Sequence, residues 1–145
     1  MTPASRARLR AGAAAACVLM SAGARAADYV VVINNDNAVA SLDRRAVSAL
    51  FLRRVSEWEA GTPALPVDGP NSPAREAFSK DVHGKKAAAV RSHWLQVIFS
   101  GRGVPPPEKA SDKDVLDYVK AHPGAIGYVS SATAITEVKV LEVDP

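Results

Sequence analysis

Tyr29-Val30-Val31-Val32-Ile33 is an unbroken apolar run, four of its five residues β-branched, bounded by Asp28 on one side and Asn34-Asn35-Asp36-Asn37 on the other. Successive side chains of a strand point to opposite faces of a sheet, so a strand with no polar relief on either face has to be covered on both. The remainder of the chain must therefore supply two layers around this strand. What it offers is mostly helical periodicity, which places the fold among layered α/β structures.

Taken in order, Ser41 precedes Leu42, Ala46, Val47, Leu50 and Phe51, whose three- and four-residue spacings predict one apolar helix face. Arg44, Arg45, Arg53 and Arg54 fall mainly off that face, as a solvated surface or as an anion or partner patch. Trp58 is read as a packing lid over the core. Ala64 to Val67 predicts a short strand. The turn cluster Asp68 to Asn71 follows, with Ser72 placed to cap a helix and Pro73 at its first position. That helix is expected to run to about Val82 and to stop at His83-Gly84.

A longer helix is expected from Lys85, with Val90, Trp94, Val97 and Ile98 on one buried face. Phe99 to Pro107, with two glycines and three prolines, predicts a stiff exposed connection. Ser111 and Asp114 form a serine-acid capping pair for a third helix that buries Val115, Leu116 and Val119. His122-Pro123-Gly124 ends it. Ala125 to Val129 reads as a strand whose glycines admit another backbone closely, and Val138 to Val143 as a last strand. The order strand, helix, strand, three helices, strand, strand implies a small mixed sheet flanked by helices, without internal repeat.

Ahead of this domain, Arg6, Arg8 and Arg10 precede the apolar run Ala11 to Met20 and then Ala24-Arg25-Ala26. Basic, apolar and small-residue regions in that order predict a secretory signal peptide over residues 1–26, cut after Ala26 or Ala27, with one domain over 27–145. Lipidation at Cys17 is the alternative; Ala14-Ala15-Ala16 supplies no large aliphatic residue ahead of it. The segment is too short to span a bilayer, so a soluble, exported, periplasmic domain is expected. Those 26 residues hold four of the 18 basic residues and no acidic one, leaving 14 basic against 15 acidic, a mature charge near −1. The basic balance of the whole sequence thus belongs to the export segment, and no nucleic-acid partner is expected. Cys17 is the only cysteine, so neither disulfides nor cysteine-bound zinc enter the mature domain, and its core must hold about 119 residues unaided.

The chemistry-bearing residues give no catalytic constellation. His83, His93 and His122 stand apart, without metal-ligand spacing. Ser72 and Ser100 lie outside any nucleophile elbow. Asp112 and Asp114 begin a helix, where the dipole accounts for them. Gly101-Arg102-Gly103 is too short to cradle a phosphate. No enzyme activity, metal or cofactor is expected. The junction at Ser72 is different: a helix N-terminus with free amides, a hydroxyl and Arg75 in its first turn suits an anion.

Several stretches together resemble a family. Val32-Ile33-Asn34 with Asn37, Leu42, Leu50-Phe51-Leu52, Trp58, Pro66-Val67, Ser72 with Phe78 and, above all, Pro123-Gly124-Ala125-Ile126-Gly127-Tyr128-Val129 look like the second lobe of the periplasmic phosphate-binding proteins of ABC transporters. Trp94 with Phe99-Ser100-Gly101-Arg102-Gly103 and Pro105-Pro106 is similar to short, single-lobe members of that group. The resemblance covers about Tyr29 to Val143. It implies one lobe of a type II periplasmic-binding-protein fold and a phosphate held by backbone amides, hydroxyls and an arginine. Where the family's loop looks like Arg-x-x-Gly-Ser-Gly-Thr-Thr, this chain has Asp68 at the arginine, Pro73 at the second glycine, and Ala74 and Arg75 at the threonines, while Ser72 is unchanged.

The expected ligand site is therefore Ser72, Ala74, Arg75, Asp68 and Asn71, binding phosphate or a similar oxyanion weakly because a single lobe leaves it open to water. A non-catalytic interaction module that kept the lobe is the alternative reading. Its partner would be a membrane transporter, a sensor or a second copy of the chain, met through Phe99 to Pro107.

Overall fold

The computed structural model describes residues 28–145; the expected signal peptide, its cleavage point and Cys17 lie outside the described residues. Five strands form one mixed sheet in the order β2-β5-β1-β4-β3. They are β1 Tyr29–Ile33, β2 Ser41–Asp43, β3 Leu65–Pro66, β4 Ala125–Ser130 and β5 Lys139–Asp144. The run that opens the domain is thus its central strand. It is antiparallel to both neighbours, with Val31 opposite Tyr128 and Leu141, while β2 runs parallel to β5 and β3 parallel to β4.

Both faces of β1 are covered, as its composition requires. Tyr29, Val31 and Ile33 join one buried cluster with Leu50, Phe51, Trp58 and Phe78. Val32 points the other way, into a second cluster with Val67, Val115, Val119 and Val129. The first layer is built from α1 Arg44–Phe51, α2 Pro73–Phe78 and a π-helical turn, Ser79–His83, that continues α2. The second is α4 Asp112–Ala121, whose Val115 and Val119 are fully buried and whose Leu116 is half-buried. Among the described residues no helix is long and apolar enough to cross a membrane.

Three expectations change. Ser41 does not cap the first helix: it opens β2 with Leu42, and Asp43 is the cap, its Oδ1 accepting the Ala46 amide at 2.7 Å. A strand signal of three residues beside β5 is too short to stand out from the helical spacing that follows. The second helix ends in a π-helical turn, which accommodates one extra residue before Gly84, at φ 66°, closes it. The helix expected from Lys85 is α3 Ala87–Phe99, but only Ala87 and Trp94 are buried in it. Val90 and Val97 are half-buried and Ile98 is exposed, because α3 leans on the π-helical turn and stands off the sheet.

The glycines of the Pro123 to Val129 motif have steric roles. A Cβ on Gly124 would sit 2.0 Å from the Pro63 carbonyl oxygen, and one on Gly127 would sit 2.7 Å from Val115 Cγ1. Backbone contact at Gly124 is extended by two hydrogen bonds to its own carbonyl, from Trp58 Nε1 at 2.9 Å and from the Leu65 amide at 2.9 Å. Trp58 is accordingly buried and anchored.

Candidate functional site

Two helix starts meet at one cleft. Ser72 is extended and its Oγ accepts the Arg75 amide at 3.3 Å, with Pro73 in the first helical position. The Ala74 amide between them has no acceptor among the described residues. Ser111 repeats the arrangement at α4, its Oγ accepting the Asp114 amide at 3.1 Å. The cleft between these ends has a volume of about 710 Å³, and Ser72, Ala74, Ser111, Lys113, Ser130 and Ser131 line it. Helix N-termini carry partial positive charge and unpaired donors, and four hydroxyl groups share the same space.

Carboxylates also border it. Asp112 is committed elsewhere: its Oδ2 accepts the Ser130 amide at 3.0 Å and the Thr133 hydroxyl at 2.7 Å, pinning the end of β4 to the start of α4. Asp28 is exposed on the rim. Lys113 pairs with Asp117 one turn on, at 2.8 Å in open solvent, a contact of small energetic weight.

Behind the Ser72 start lies a buried polar cluster. Arg75 turns into the body with its side chain 11% exposed; Nη1 donates to the Gly69 carbonyl at 3.2 Å and meets Glu108 Oε1 at 3.0 Å, and Nη2 stands 3.8 Å from Asp68 Oδ2. Tyr128 donates its hydroxyl to Asp68 Oδ1 at 3.0 Å and accepts the Gly69 amide at 3.4 Å. The backbone of Asp68 is held on both sides, donating to the Pro107 carbonyl at 2.8 Å and accepting the Lys109 amide at 2.9 Å. Burial pushes the Asp68 carboxyl above its usual range and outweighs the nearby guanidinium and the tyrosine hydroxyl, which act the other way. Burial also weighs against the Arg75 cation, but Asp68 and Glu108 overcome it and hold the guanidinium charged.

The five residues expected to bind a ligand therefore separate. Ser72 and Ala74 line the cleft. Asp68 and Arg75 belong to the buried cluster, where each satisfies the other's charge. Asn71 sits on the exposed turn between them, outside the cleft lining. The guanidinium turns inward because a cation in the first turn finds two carboxylates and a carbonyl there, which hold it better than water-screened space does. Ser111, Ser130, Ser131 and Lys113 were not expected at the site. Ser111 is legible as a cap, but its convergence with Ser72 is a product of tertiary packing.

A serine and a histidine do meet, away from the cleft. Ser48 Oγ lies 2.8 Å from His83 Nδ1. His83 is packed edge-on against Phe51 and Phe78. Burial lowers its pKa to about 4, helped by Arg54, Lys85 and His93. Among the described residues no carboxylate is hydrogen-bonded to this imidazole, and the pair fastens α1 to the π-helical turn. Among the described residues no group of three or more His, Cys, Asp or Glu could hold a metal ion.

A family model described as a PBP superfamily domain matches residues 25–143. Among solved structures, a Clostridium perfringens protein described as a phosphate ABC transporter substrate-binding protein, with phosphate bound, superposes with a TM-score of 0.62 at 18% identity over 80% of this chain and 44% of that one. An ABC-type phosphate transport receptor from Vibrio cholerae gives 0.59 at 16% identity, over 80% and 46%. A possible phosphate-binding protein from Planctomyces limnophilus gives 0.59 at 16%, over 81% and 41%. The chain thus spans less than half the length of each of these proteins, and at such identities the likeness is one of fold. No curated protein matches the chain by sequence.

Proposed function

Because the chain belongs to the PBP superfamily, we propose that it is a periplasmic, non-catalytic solute-binding module that takes phosphate or a similar oxyanion in the cleft between the Ser72 and Ser111 helix starts. The observation that carries this reading is the convergence of two serine-capped N-termini on one space lined by four hydroxyl groups. An oxyanion there meets the free Ala74 amide and the hydroxyls of Ser72, Ser111, Ser130 and Ser131, with Lys113 at the edge. Asp68 and Arg75 serve as the rigid support of the loop, and Asn71 is available only at its exposed turn. The fold shared with phosphate-transport binding proteins supports the assignment of ligand class.

The affinity is weak. The cleft is open to solvent, its helix dipoles offer only about half a positive charge each, and Asp28 and Asp112 border it. Calorimetry and thermal melting of the purified protein with phosphate and with sulfate test the reading. Occupancy of the native state at ten times Kd adds about 1.4 kcal/mol and raises the melting temperature by a few degrees. Ser72→Ala with Ser111→Ala is expected to abolish that ligand-induced rise. No heat and no shift at millimolar anion overturns it.

The internal commitment of Arg75 favours a second reading, in which the lobe is kept as a scaffold for a transporter, a sensor or another copy and has lost tight ligand capture. Native mass spectrometry that finds the protein joined to a partner and indifferent to anions would favour it.

A further inference from the structure

Between Asp81 and Glu108 the sequence has no carboxylate, while Lys85, Lys86, Arg91 and Arg102 all lie in that stretch, in a domain whose overall charge is close to neutral. This segment is α3 and its flanks, the part of the fold that stands off the sheet. Its outward stripe is apolar below an arginine: Arg91, Leu95, Ile98 and Phe99 follow one another at helical spacings, and Arg102 lies past the helix end, beyond the left-handed Gly101. Phe99 is 87% exposed, Val104 70%, Leu95 48% and Ile98 46%. Isolated apolar residues on a surface are ordinary, but four grouped on one acid-free projection are not.

Beside the stripe is a notch of about 220 Å³ between the end of α1 and the end of α3, lined among others by Arg53, Arg54, Trp94, Arg102 and Val104. Arg53 holds a left-handed backbone, φ 54°, where the chain leaves α1. Among the described residues none of Arg53, Arg54, Arg91 and Arg102 has a carboxylate partner. The C-terminal ends of α1 and α3 both reach this notch, and their dipoles amount to about one negative charge together. Three guanidinium groups exceed that, so the notch remains positive.

We propose that this face docks a partner protein through an acidic and apolar segment. One carboxylate enters the Arg53–Arg54–Arg102 notch, where the planar guanidinium forks match it, and apolar side chains cover Leu95, Ile98 and Phe99. Arginine and aromatic residues around an apolar centre are the composition of protein interfaces. A concave notch with arginines on both walls receives a projecting side chain, which a protein offers and the plane of a bilayer does not. The docking is independent of any anion held at the Ser72 cleft, on another part of the surface.

The test measures binding of the purified protein to three probes. Two are labelled peptides of equal length and equal leucine and phenylalanine content, one carrying glutamates between them and the other lysines; the third is phosphatidylglycerol vesicles. The glutamate peptide is expected to bind at least about tenfold more tightly than the lysine peptide, and Arg54→Glu with Arg102→Glu to reverse that order. Phe99→Ala weakens the glutamate peptide severalfold. These positions are exposed, so the variants stay folded; glutamates at the C-terminal ends of α1 and α3 meet the helix dipoles and lower the melting temperature only slightly, and phosphate-induced shifts at the Ser72 cleft are unaltered. Equal binding of both peptides, no binding of either, or unchanged preference in the double variant overturns the proposal. Vesicle binding lost in the double variant, with no peptide bound, replaces it with a membrane surface.

Discussion

The hydroxyl of Tyr128 donates to Asp68 Oδ1 at 3.0 Å, and through that bond the fourth strand of the sheet fixes the loop on which the candidate cleft stands. The same ring stacks on Phe78, centroids 4.1 Å apart and planes 12° from parallel. One side chain thus fastens α2 by its face and the loop before α2 by its tip. Tyr128→Phe keeps the stack and removes the bonds to Asp68 and the Gly69 amide. A loss of about 1–2 kcal/mol in urea unfolding is expected, with the Asp68 carboxyl displaced further upward, readable by carboxyl NMR titration.

Breaking the buried cluster from its cationic side should cost more. Arg75→Met leaves Asp68 buried without its counter-charge, and a loss of about 3 kcal/mol is expected. Asp68→Asn is milder, because Arg75 retains Glu108 and the Gly69 carbonyl. The double variant is expected to lose clearly less than the sum of the two, by chemical denaturation. Strict additivity would show that the two charges do not stabilise one another.

His83 gives the fold a pH dependence. Its folded pKa, lowered to about 4, lies below the ordinary histidine value near 6.5. Between those values the unfolded chain binds a proton that the native state refuses, so stability falls as pH drops from about 6.5 toward 4 and is fully present above that window. At pH 4.5 the loss from this residue is about 2–3 kcal/mol. In His83→Gln, melting curves across the window should be flatter than wild type by roughly that amount; parallel curves would remove His83 as the cause.

Gly124 lies where no Cβ fits. Gly124→Ala drives a methyl into the Pro63 carbonyl and disturbs the bonds that Trp58 and Leu65 make to the Gly124 carbonyl. Destabilisation of about 3 kcal/mol or more is expected, with a change in Trp58 fluorescence. Gly61→Ala, where space is open but φ is 84°, tests backbone strain alone and should cost less.

Much of this architecture is legible in the residues. The apolar run at Tyr29 demands two covering layers and receives them; Ser72 and Ser111 are caps by composition and by geometry; Gly124 admits a backbone as its motif suggests. What escapes is whatever depends on distant packing. The three residues of β2 carry too little periodicity to separate from α1. The apolar spacing of α3 looks like a core face, yet sequence spacing does not say whether a partner layer exists, and here none covers Ile98 or Phe99. The site divides in the same way. Ser72 and Ala74 face the cleft as local capping requires, whereas the inward turn of Arg75 is decided by Glu108 and Asp68, which only the tertiary structure brings beside it.

The central position of β1 sets an order on folding. Its partners on both edges are the last two strands of the domain, with Tyr29 opposite Ser130 and Ile33 opposite Lys139. The central strand thus waits for nearly the whole domain to be available, and the loop entropy of that closure falls on sheet formation. A nascent chain ending before β4 offers no pairing partner to β1, β2 or β3, because every strand pair of the sheet involves β4 or β5. Stopped-flow refolding should accordingly show one slow cooperative phase, with β1, β4 and β5 gaining hydrogen-exchange protection together.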